Sequence, residues 1–325
     1  MLYTPIKTQD FLPEENFDKL YSQVINKLND CKQSGKMPSF DNLNIYYEYF
    51  LCENAKENIV IVHGLSEFTK KFYEVIYFFL NNRYNVFIFD LRGHGYSDRE
   101  DNAGNNLHVK DFFSYVKDLD LFIKNIVKKV STLKINFFSQ SMGGAIVGLY
   151  LQQTDEDINK AIFSAPMVSP NLKGLPRFIV KMVAKRRIKK FGGTGVFLQS
   201  KPFTPNANFE NSSDASFARF SFNLSMRVND KHYQTSPLTN CWMEQATRVK
   251  GLLLRKKECK KINAKCLILS AELDKVVLEK PQRKFAKLIK DCKFVSIVNA
   301  KHNIFCCGDE VLADLFGNIK EFLND

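Results

Sequence analysis

Short apolar runs alternate with longer amphipathic stretches along most of this chain. The apolar runs, each of four or five residues, are Ile59–Val62, Asn85–Phe89, Ile135–Phe138, Ala161–Ser164, Cys266–Leu269 and Phe294–Val298. Nearly continuous apolar runs of this length are typical of parallel strands that are buried on both faces. The stretches between them that carry a helical pattern are Phe72–Asn82, Val109–Val130 and Met142–Gln153. We therefore predict an α/β fold with a mostly parallel central sheet flanked by helices.

Two segments depart from this alternation. Leu43–Leu51 is rich in Tyr and alternates, which predicts an antiparallel edge strand ahead of the parallel set. After Pro166 the strand pattern stops, and it resumes near Lys265. The sequence therefore predicts one α/β core, residues 1–166 and 264–325, interrupted by an inserted and mainly helical cap, residues 167–263.

Composition places the chain among ordinary globular proteins. Its 325 residues are 45% hydrophobic and 25% charged. The N-terminal Met1–Phe17 has acidic residues and no apolar core of a signal peptide, and no run approaches the ~18 apolar residues that span a bilayer. We expect a cytoplasmic protein whose eight Cys are free thiols. Cys306 and Cys307 lie near His302, but adjacent ligands are poorly spaced for zinc, so we expect no metal.

A formal charge of +12 favours anionic partners. No nucleic-acid-binding motif is present, so we expect no nucleic-acid partner. Basic residues concentrate in residues 173–190, where an apolar stripe recurs at spacings of three and four: Leu175, Phe178, Ile179, Met182 and Val183. This combination is typical of helices that lie on an anionic membrane. The alternative is a cap helix whose apolar stripe packs on the core and whose basic residues are merely solvated.

The strongest chemical signal is the segment Lys134–Gly144, in which an apolar strand ends in Ser-Gln-Ser-Met-Gly-Gly and a helix begins at once. This pattern predicts a nucleophile elbow, a tight strand-to-helix turn that presents its middle side chain above the sheet. Ser141 is that residue. Ser139 and Gly143 are the small residues that flank it.

A serine nucleophile needs a base, and the base needs a group that orients it. Asp274 follows the strand Cys266–Leu269, and His302 follows the strand Phe294–Val298. The order Ser141, Asp274, His302 is that of one hydrolase architecture and of neither major class of serine protease. Glu272 lies on the same loop as Asp274 and is an alternative acid.

Attack on a carbonyl also requires donors for the oxyanion. The backbone N–H of Met142 lies at the start of the helix after the nucleophile, where unpaired amides and the helix dipole favour negative charge. The loop His63–Glu67 after an earlier strand can supply a second donor, and we expect it to be the N–H of Leu65.

The chain resembles the monoglyceride lipase and bacterial lysophospholipase branch of the serine α/β hydrolases, which is also grouped with the serine aminopeptidases. The matching motifs are His63-Gly64, Asp90–Ser97, the elbow at Ser141, Asp274 and Lys301-His302. The resemblance implies hydrolysis of a carboxylic ester, most of all in a lysophospholipid or monoglyceride, without a cofactor. His63 and His94 are then interpreted as residues that pack loops.

Some features leave alternatives open. Ser139 stands where the family elbow has Gly and is expected to crowd the turn, and Ser66 stands where many monoglyceride lipases have Gly. A peptidase or general carboxylesterase could use the same residues, and a noncatalytic protein could bind lipid or membrane. Three aromatic residues of the cap, Phe217, Phe220 and Trp242, could line an acyl groove, although core packing explains them equally well.

Overall fold

An eight-stranded, mostly parallel sheet forms the centre of the computed structural model, which describes residues 1–6, 10–198 and 200–325. In chain order the strands are β1 (Lys32–Pro38), β2 (Asn44–Phe50), β3 (Glu57–Val62), β4 (Tyr84–Phe89), β5 (Ile135–Gln140), β6 (Ile158–Ser164), β7 (Lys265–Ala271) and β8 (Cys292–Ile297). Their spatial order is β1-β2-β4-β3-β5-β6-β7-β8. β2 is antiparallel to both of its neighbours, and the other neighbouring strands are parallel.

All six predicted parallel strands are present as β3–β8, but two predictions need correction. The predicted edge strand, β2, is not at the edge, because β1 pairs with it along its whole length. β1 buries only Met37, so its sequence carries no hydrophobic alternation that would have revealed it. β8 is the opposite edge strand and buries only Ile297, so it is not covered on both faces as predicted.

Eleven α-helical segments accompany the sheet in the described ranges. They are α1 (Phe17–Cys31), α2 (Tyr73–Asn81), α3 (Phe113–Phe122), α4 (Lys128–Val130), α5 (Met142–Leu151), α6 (Arg177–Phe191), α7 (Phe217–Asn229), α8 (Asn240–Leu253), α9 (Lys256–Cys259), α10 (Glu279–Leu288) and α11 (Asp309–Asn324). A π-helical segment, Ile123–Val127, joins α3 to α4, so that the predicted helix over 109–130 is nearly continuous from Phe113. Within the described ranges, no helix is both long enough and apolar enough to cross a bilayer.

The sheet separates two hydrophobic clusters. On β3, Val60 and Val62 pack into one cluster with residues of α3, α5 and α8, whereas Ile59 and Ile61 pack into the other with residues of α1, α2 and α11. Because successive side chains of a strand point to opposite faces, a strand covered on both faces is apolar at most of its positions. This burial explains the continuous apolar runs of the sequence.

Four of the helices, α6–α9, lie between β6 and β7. α6 packs along α8, and α8 in turn contacts α5. α7 is fixed separately by Arg219, which is almost fully buried. Its guanidinium donates to both carboxylate oxygens of Glu74, at 2.7 and 2.9 Å, and to the carbonyl of Leu12 at 2.6 Å. The Arg219 group also lies over the ring of Phe17, 4.7 Å from its centroid.

The buried pair of Arg219 and Glu74 makes a prediction about stability. The substitution Arg219→Met leaves the Glu74 carboxylate buried without a counter-charge, which costs about 3–5 kcal/mol. We expect urea denaturation to show a loss of this size in the free energy of unfolding.

Arg283→Met is the matched control, because Arg283 pairs with Glu279 on an exposed face of α10. Exposed pairs of this kind contribute about 0–1 kcal/mol. Equal effects of the two substitutions would contradict the importance of the buried pair.

Candidate active site

Ser141 lies in the sharp turn between β5 and α5. Its φ of 49° and ψ of −113° place it in a strained region that residues with a side chain seldom occupy. Three backbone hydrogen bonds hold this conformation. The Ser141 N–H donates to the carbonyl of Ser164 at 3.0 Å, and its carbonyl accepts from Met167 at 2.8 Å and from Gly144 at 3.0 Å. The turn has the geometry of a nucleophile elbow.

Close approach of α5 to the sheet requires glycine at two positions after Ser141. A Cβ at Gly143 would collide with the Val62 carbonyl oxygen, and a Cβ at Gly144 would lie 2.6 Å from Cβ of Pro166. Any side chain at Gly143 would therefore push the helix away from β3.

Ser139 does not crowd the elbow, contrary to the expectation from sequence. Its side chain is fully buried, and its Oγ donates to the carbonyl of Ile162 on β6 at 3.1 Å. The hydroxyl thus adds a hydrogen bond between two neighbouring strands. The departure from glycine is accommodated without displacing Ser141.

The structure brings Ser141, His302 and Asp274 together. Ser141 Oγ lies 2.8 Å from His302 Nε2, and His302 Nδ1 lies 2.7 Å from Asp274 Oδ2. The Ser141 and His302 residues are both 6% exposed. Both ring nitrogens of His302 are engaged in these contacts, so neither is free to ligate a metal together with Cys306 and Cys307.

Asp274 rather than Glu272 faces His302. The second oxygen of Asp274, Oδ1, accepts the N–H groups of Val276 at 2.7 Å and Val277 at 3.0 Å, which fixes the orientation of the carboxylate. Glu272 instead points outward and accepts the N–H of Asn299 at 2.9 Å. The ambiguity left by the sequence is therefore resolved geometrically in favour of Asp274 as the neighbour of the imidazole.

Gln140 is a site residue that sequence reasoning missed. Its side-chain Nε2 donates to the carbonyl of His302 at 3.0 Å, and its residue is fully buried. The end of β5 is thereby tied to the loop that carries the imidazole. A long amide side chain directly before the predicted nucleophile is the signal that could have pointed to this role.

A buried ion pair is bonded to the loop after β3. Glu67 accepts the N–H of Gly64 at 2.6 Å and contacts Lys71 Nζ at 2.8 Å. Burial by itself would lower the pKa of Lys71, but the Glu67 carboxylate raises it above its usual range. Ser66 adopts a φ of 61°, the left-handed conformation that the family glycine would favour.

The two predicted oxyanion donors remain available. Within the described ranges, neither the Leu65 N–H nor the Met142 N–H donates to a protein acceptor. Leu65 and Ser141 line the same cavity, and Met142 begins α5 directly after Ser141. These amides are free for a ligand oxygen.

The other predicted loop residues are buried and neutral. His63 accepts the N–H of Leu91 at Nε2, at 2.9 Å, and donates from Nδ1 to the carbonyl of Gly64 at 2.7 Å. Burial lowers the pKa of His63 to about 4 and that of His94 to about 3. Both fit the interpretation as residues that pack loops.

Asp90 organises the Asp90–Ser97 motif. Its carboxylate accepts the N–H groups of Thr69 at 2.7 Å and Tyr96 at 2.9 Å, and burial raises its pKa to about 7. The motif thus supports the segment that follows the Leu65 loop.

A cavity of about 490 Å³ opens over Ser141 and His302. Segment 207–214 and α7 cover it from the insertion, and most of its lining side chains are polar. Of the three aromatic residues proposed for an acyl groove, only Phe220 lines this cavity. Phe217 is 64% exposed and packs its ring against Phe209. Trp242, on α8, is buried in the hydrophobic core and does not line this cavity, which fits the alternative of core packing.

The chain is similar in sequence to known lipid hydrolases. A family model described as "Serine aminopeptidase, S33" matches residues 53–308. A protein of Haemophilus influenzae named "Probable lysophospholipase L2" is 27% identical over 287 residues, which cover 87% of this chain and 89% of that protein. The monoglyceride lipase of Saccharomyces cerevisiae is 27% identical over 138 residues, which cover 40% of this chain and 43% of that protein.

Solved structures give the same picture for the fold. A soluble variant of the Saccharomyces cerevisiae monoglyceride lipase superposes with a TM-score of 0.71 at 19% identity, covering 90% of this chain and 95% of that chain. A carboxyl esterase from Bacillus coagulans superposes with a TM-score of 0.72 at 16% identity, covering 90% of this chain and 98% of that chain. The fold is that of the α/β hydrolases, and the chain belongs to the serine aminopeptidase S33 family.

Proposed function

We propose that this protein is a serine hydrolase that cleaves the carboxylic ester of a monoacyl lipid, a lysophospholipid or a monoglyceride. The observation that carries the proposal is the continuous hydrogen-bonded series from Ser141 through His302 to Asp274, built on a strained elbow. The relatives named lysophospholipase and monoglyceride lipase support the choice of a lipid ester over a peptide. Peptide hydrolysis and a noncatalytic role remain as outcomes of the tests below.

In the proposed reaction, Ser141 Oγ attacks the ester carbonyl while His302 Nε2 takes the hydroxyl proton. Asp274 accepts a hydrogen bond from His302 Nδ1–H and stabilises the imidazolium that forms. The amides of Leu65 and Met142 bind the oxyanion, and one such donor contributes about 2.7–4 kcal/mol. His302 then gives its proton to the departing alcohol, which leaves an acyl-enzyme that water hydrolyses by the same steps.

We infer that residues 167–263 act as a cap over this site. Segment 207–214 and α7 contribute to the wall of the cavity, and the Met167 N–H donates a hydrogen bond to the carbonyl of Ser141. The cap is therefore placed to select what reaches the nucleophile.

We also propose that α6 lies on an anionic membrane. Leu175, Phe178 and Met182 are 59%, 71% and 42% exposed, whereas the opposite side of the helix packs on α8. The exposed basic residues around this apolar patch are Lys173, Arg177, Lys185, Arg186, Lys189 and Lys190. Exposed apolar side chains surrounded by cations match the chemistry of an anionic lipid surface.

The position of α6 supports this proposal. The segment leading into it pairs with the Asp274 loop, where Asn171 N–H donates to the Val276 carbonyl at 2.8 Å. Val276 both lines the cavity and is 41% exposed. The apolar patch thus begins only four residues along the chain from Asn171, which is bonded to a residue that lines the cavity.

The proposed nucleophile is tested with a fluorescent fluorophosphonate, which labels activated serines. We expect wild type to be labelled and Ser141→Ala to lose labelling, because no other hydroxyl contacts His302 in the described part of the chain. Ser139→Ala is the matched control, since its hydroxyl faces β6 rather than the cavity, and it should retain labelling. Folded wild type that fails to react would favour the noncatalytic role.

The membrane proposal is tested by charge reversal on α6. Changing Lys185, Arg186 and Lys189 to Glu should lower binding to phosphatidylglycerol vesicles at least about 10-fold, because each basic residue near the surface contributes about 1 kcal/mol. Sedimentation of the protein with vesicles measures this. Arg187 is left unchanged because it donates to Asn240 and to the Val196 carbonyl.

The control reverses Lys56, Lys129 and Lys134, which are exposed where β3 and β5 begin, at the end of the sheet opposite Ser141. This variant has the same net charge as the α6 variant. If both variants lose binding equally, the membrane is attracted by overall charge and α6 has no special role.

A further inference from the structure

The cavity over Ser141 contains charged side chains that the proposed reaction does not use. They are Glu67, Lys71, Asp214 and Arg227. Glu67 and Lys71 neutralise each other at 2.8 Å. Asp214 accepts a hydrogen bond from Asn303 Nδ2 at 2.6 Å. Arg227 therefore needs a separate explanation.

Arg227 is a half-buried cation without an ion pair. Among the described residues, no carboxylate lies within 4.0 Å of its guanidinium, whereas the more deeply buried Arg92 and Arg219 pair with Asp118 and Glu74. Burial lowers the pKa of Arg227, and the more distant Asp214 offsets this only in part. A partly buried cation that lines a cavity and forms no ion pair is a candidate site for an anionic ligand.

The contacts of Arg227 hold it in place without occupying its outer nitrogens. Its Nε–H donates to the carbonyl of Tyr233 at 3.1 Å, and the guanidinium lies 4.6 Å from the ring centroid of Phe203. No protein acceptor contacts Nη1 or Nη2 in the part of the chain that the structure describes. Two N–H groups of a fixed guanidinium match two oxygens of a phosphate.

The cavity wall offers further polar partners for a headgroup. Amide and hydroxyl side chains, among them Asn208, Asn211, Ser212 and Asn223, line the same cavity as Arg227, together with apolar side chains such as Leu65, Phe68 and Leu224. The amide and hydroxyl groups donate to phosphate oxygens and to the glycerol hydroxyl, whereas they would leave hydrogen bonds unmade against hydrocarbon.

We propose that Arg227 binds the phosphate of a lysophospholipid headgroup while the ester of the same molecule lies at Ser141. This inference rests on the proposed esterase function and chooses between its two substrate classes. A monoglyceride has no anion for Arg227, so the cavity should distinguish the phosphate-bearing lipid from the neutral one.

The test compares two short-chain esters below their critical micelle concentrations, so that membrane binding does not contribute. They are 1-octanoyl-lysophosphatidylglycerol, whose only charge is its phosphate, and 1-octanoylglycerol. The quantity measured is the ratio of kcat/KM for the first ester to that for the second. Any general loss of folding or catalysis cancels in this ratio.

We expect the ratio to exceed 1 for wild type and to fall about 10- to 100-fold in Arg227→Met, which is the effect of removing one charged hydrogen-bond donor. The loss should appear mainly in KM for the phospholipid. Arg227→Lys should recover part of the ratio, since it restores the charge but not the paired geometry. Arg283→Met, on an exposed helix face, is the control and should keep the wild-type ratio.

Three outcomes would overturn the inference. A ratio that stays within about 2-fold of wild type in Arg227→Met shows that the guanidinium does not recognise phosphate. A wild type that hydrolyses only 1-octanoylglycerol keeps the esterase proposal and rejects the phosphate site. A wild type that hydrolyses neither ester, and is not labelled by the fluorophosphonate, rejects the proposed function itself.

Discussion

The close approach of α5 to β3 is the constraint on which the site depends. It is possible only because Gly143 has no Cβ to meet the Val62 carbonyl, and it forces Ser141 into a conformation that costs about 1–3 kcal/mol. The surrounding chain supplies the compensation through hydrogen bonds to Ser164 and Met167. Ser164 is the last residue of β6, and Met167 begins the inserted segment. The backbone of the nucleophile is therefore hydrogen-bonded directly to the segment that covers the site.

The sequence predicted the strands that are buried on both faces. β3 to β7 are covered by helices on both faces, and such burial favours nearly continuous apolar runs. β1 could not be found in this way, because pairing with β2 through backbone hydrogen bonds requires no apolar side chains. The edge position of β8 depends on the spatial order of the strands in the sheet, which the local sequence does not encode.

The same distinction separates the predicted and missed parts of the site. Ser141, Asp274 and His302 each follow a strand, and parallel strands bring their carboxyl ends to one edge of the sheet, so the three could be anticipated from position. Gln140 contacts the His302 loop, which is far away in sequence, and Arg227 lines a cavity whose walls come from several distant segments, so only the folded chain defines both positions. The role of Trp242 was ambiguous because an aromatic residue in a helical insertion can line a groove or pack in a core. In the structure, α8 directs this side chain into the core.

The two proposed lipid contacts, Arg227 with a headgroup and α6 with the membrane, can involve the same lipid molecule. A cavity lined in part by polar side chains, with Arg227 outside any ion pair, suits a headgroup, while the exposed apolar patch of α6 suits hydrocarbon. Val276, which is exposed and also lines the cavity, lies on the loop that joins these environments. A monoacyl lipid whose headgroup reaches Arg227 would then place its ester over Ser141 and its chain toward the membrane face. Because the acyl chain need not enter the cavity, this arrangement allows a pocket of about 490 Å³ to serve esters of different chain length.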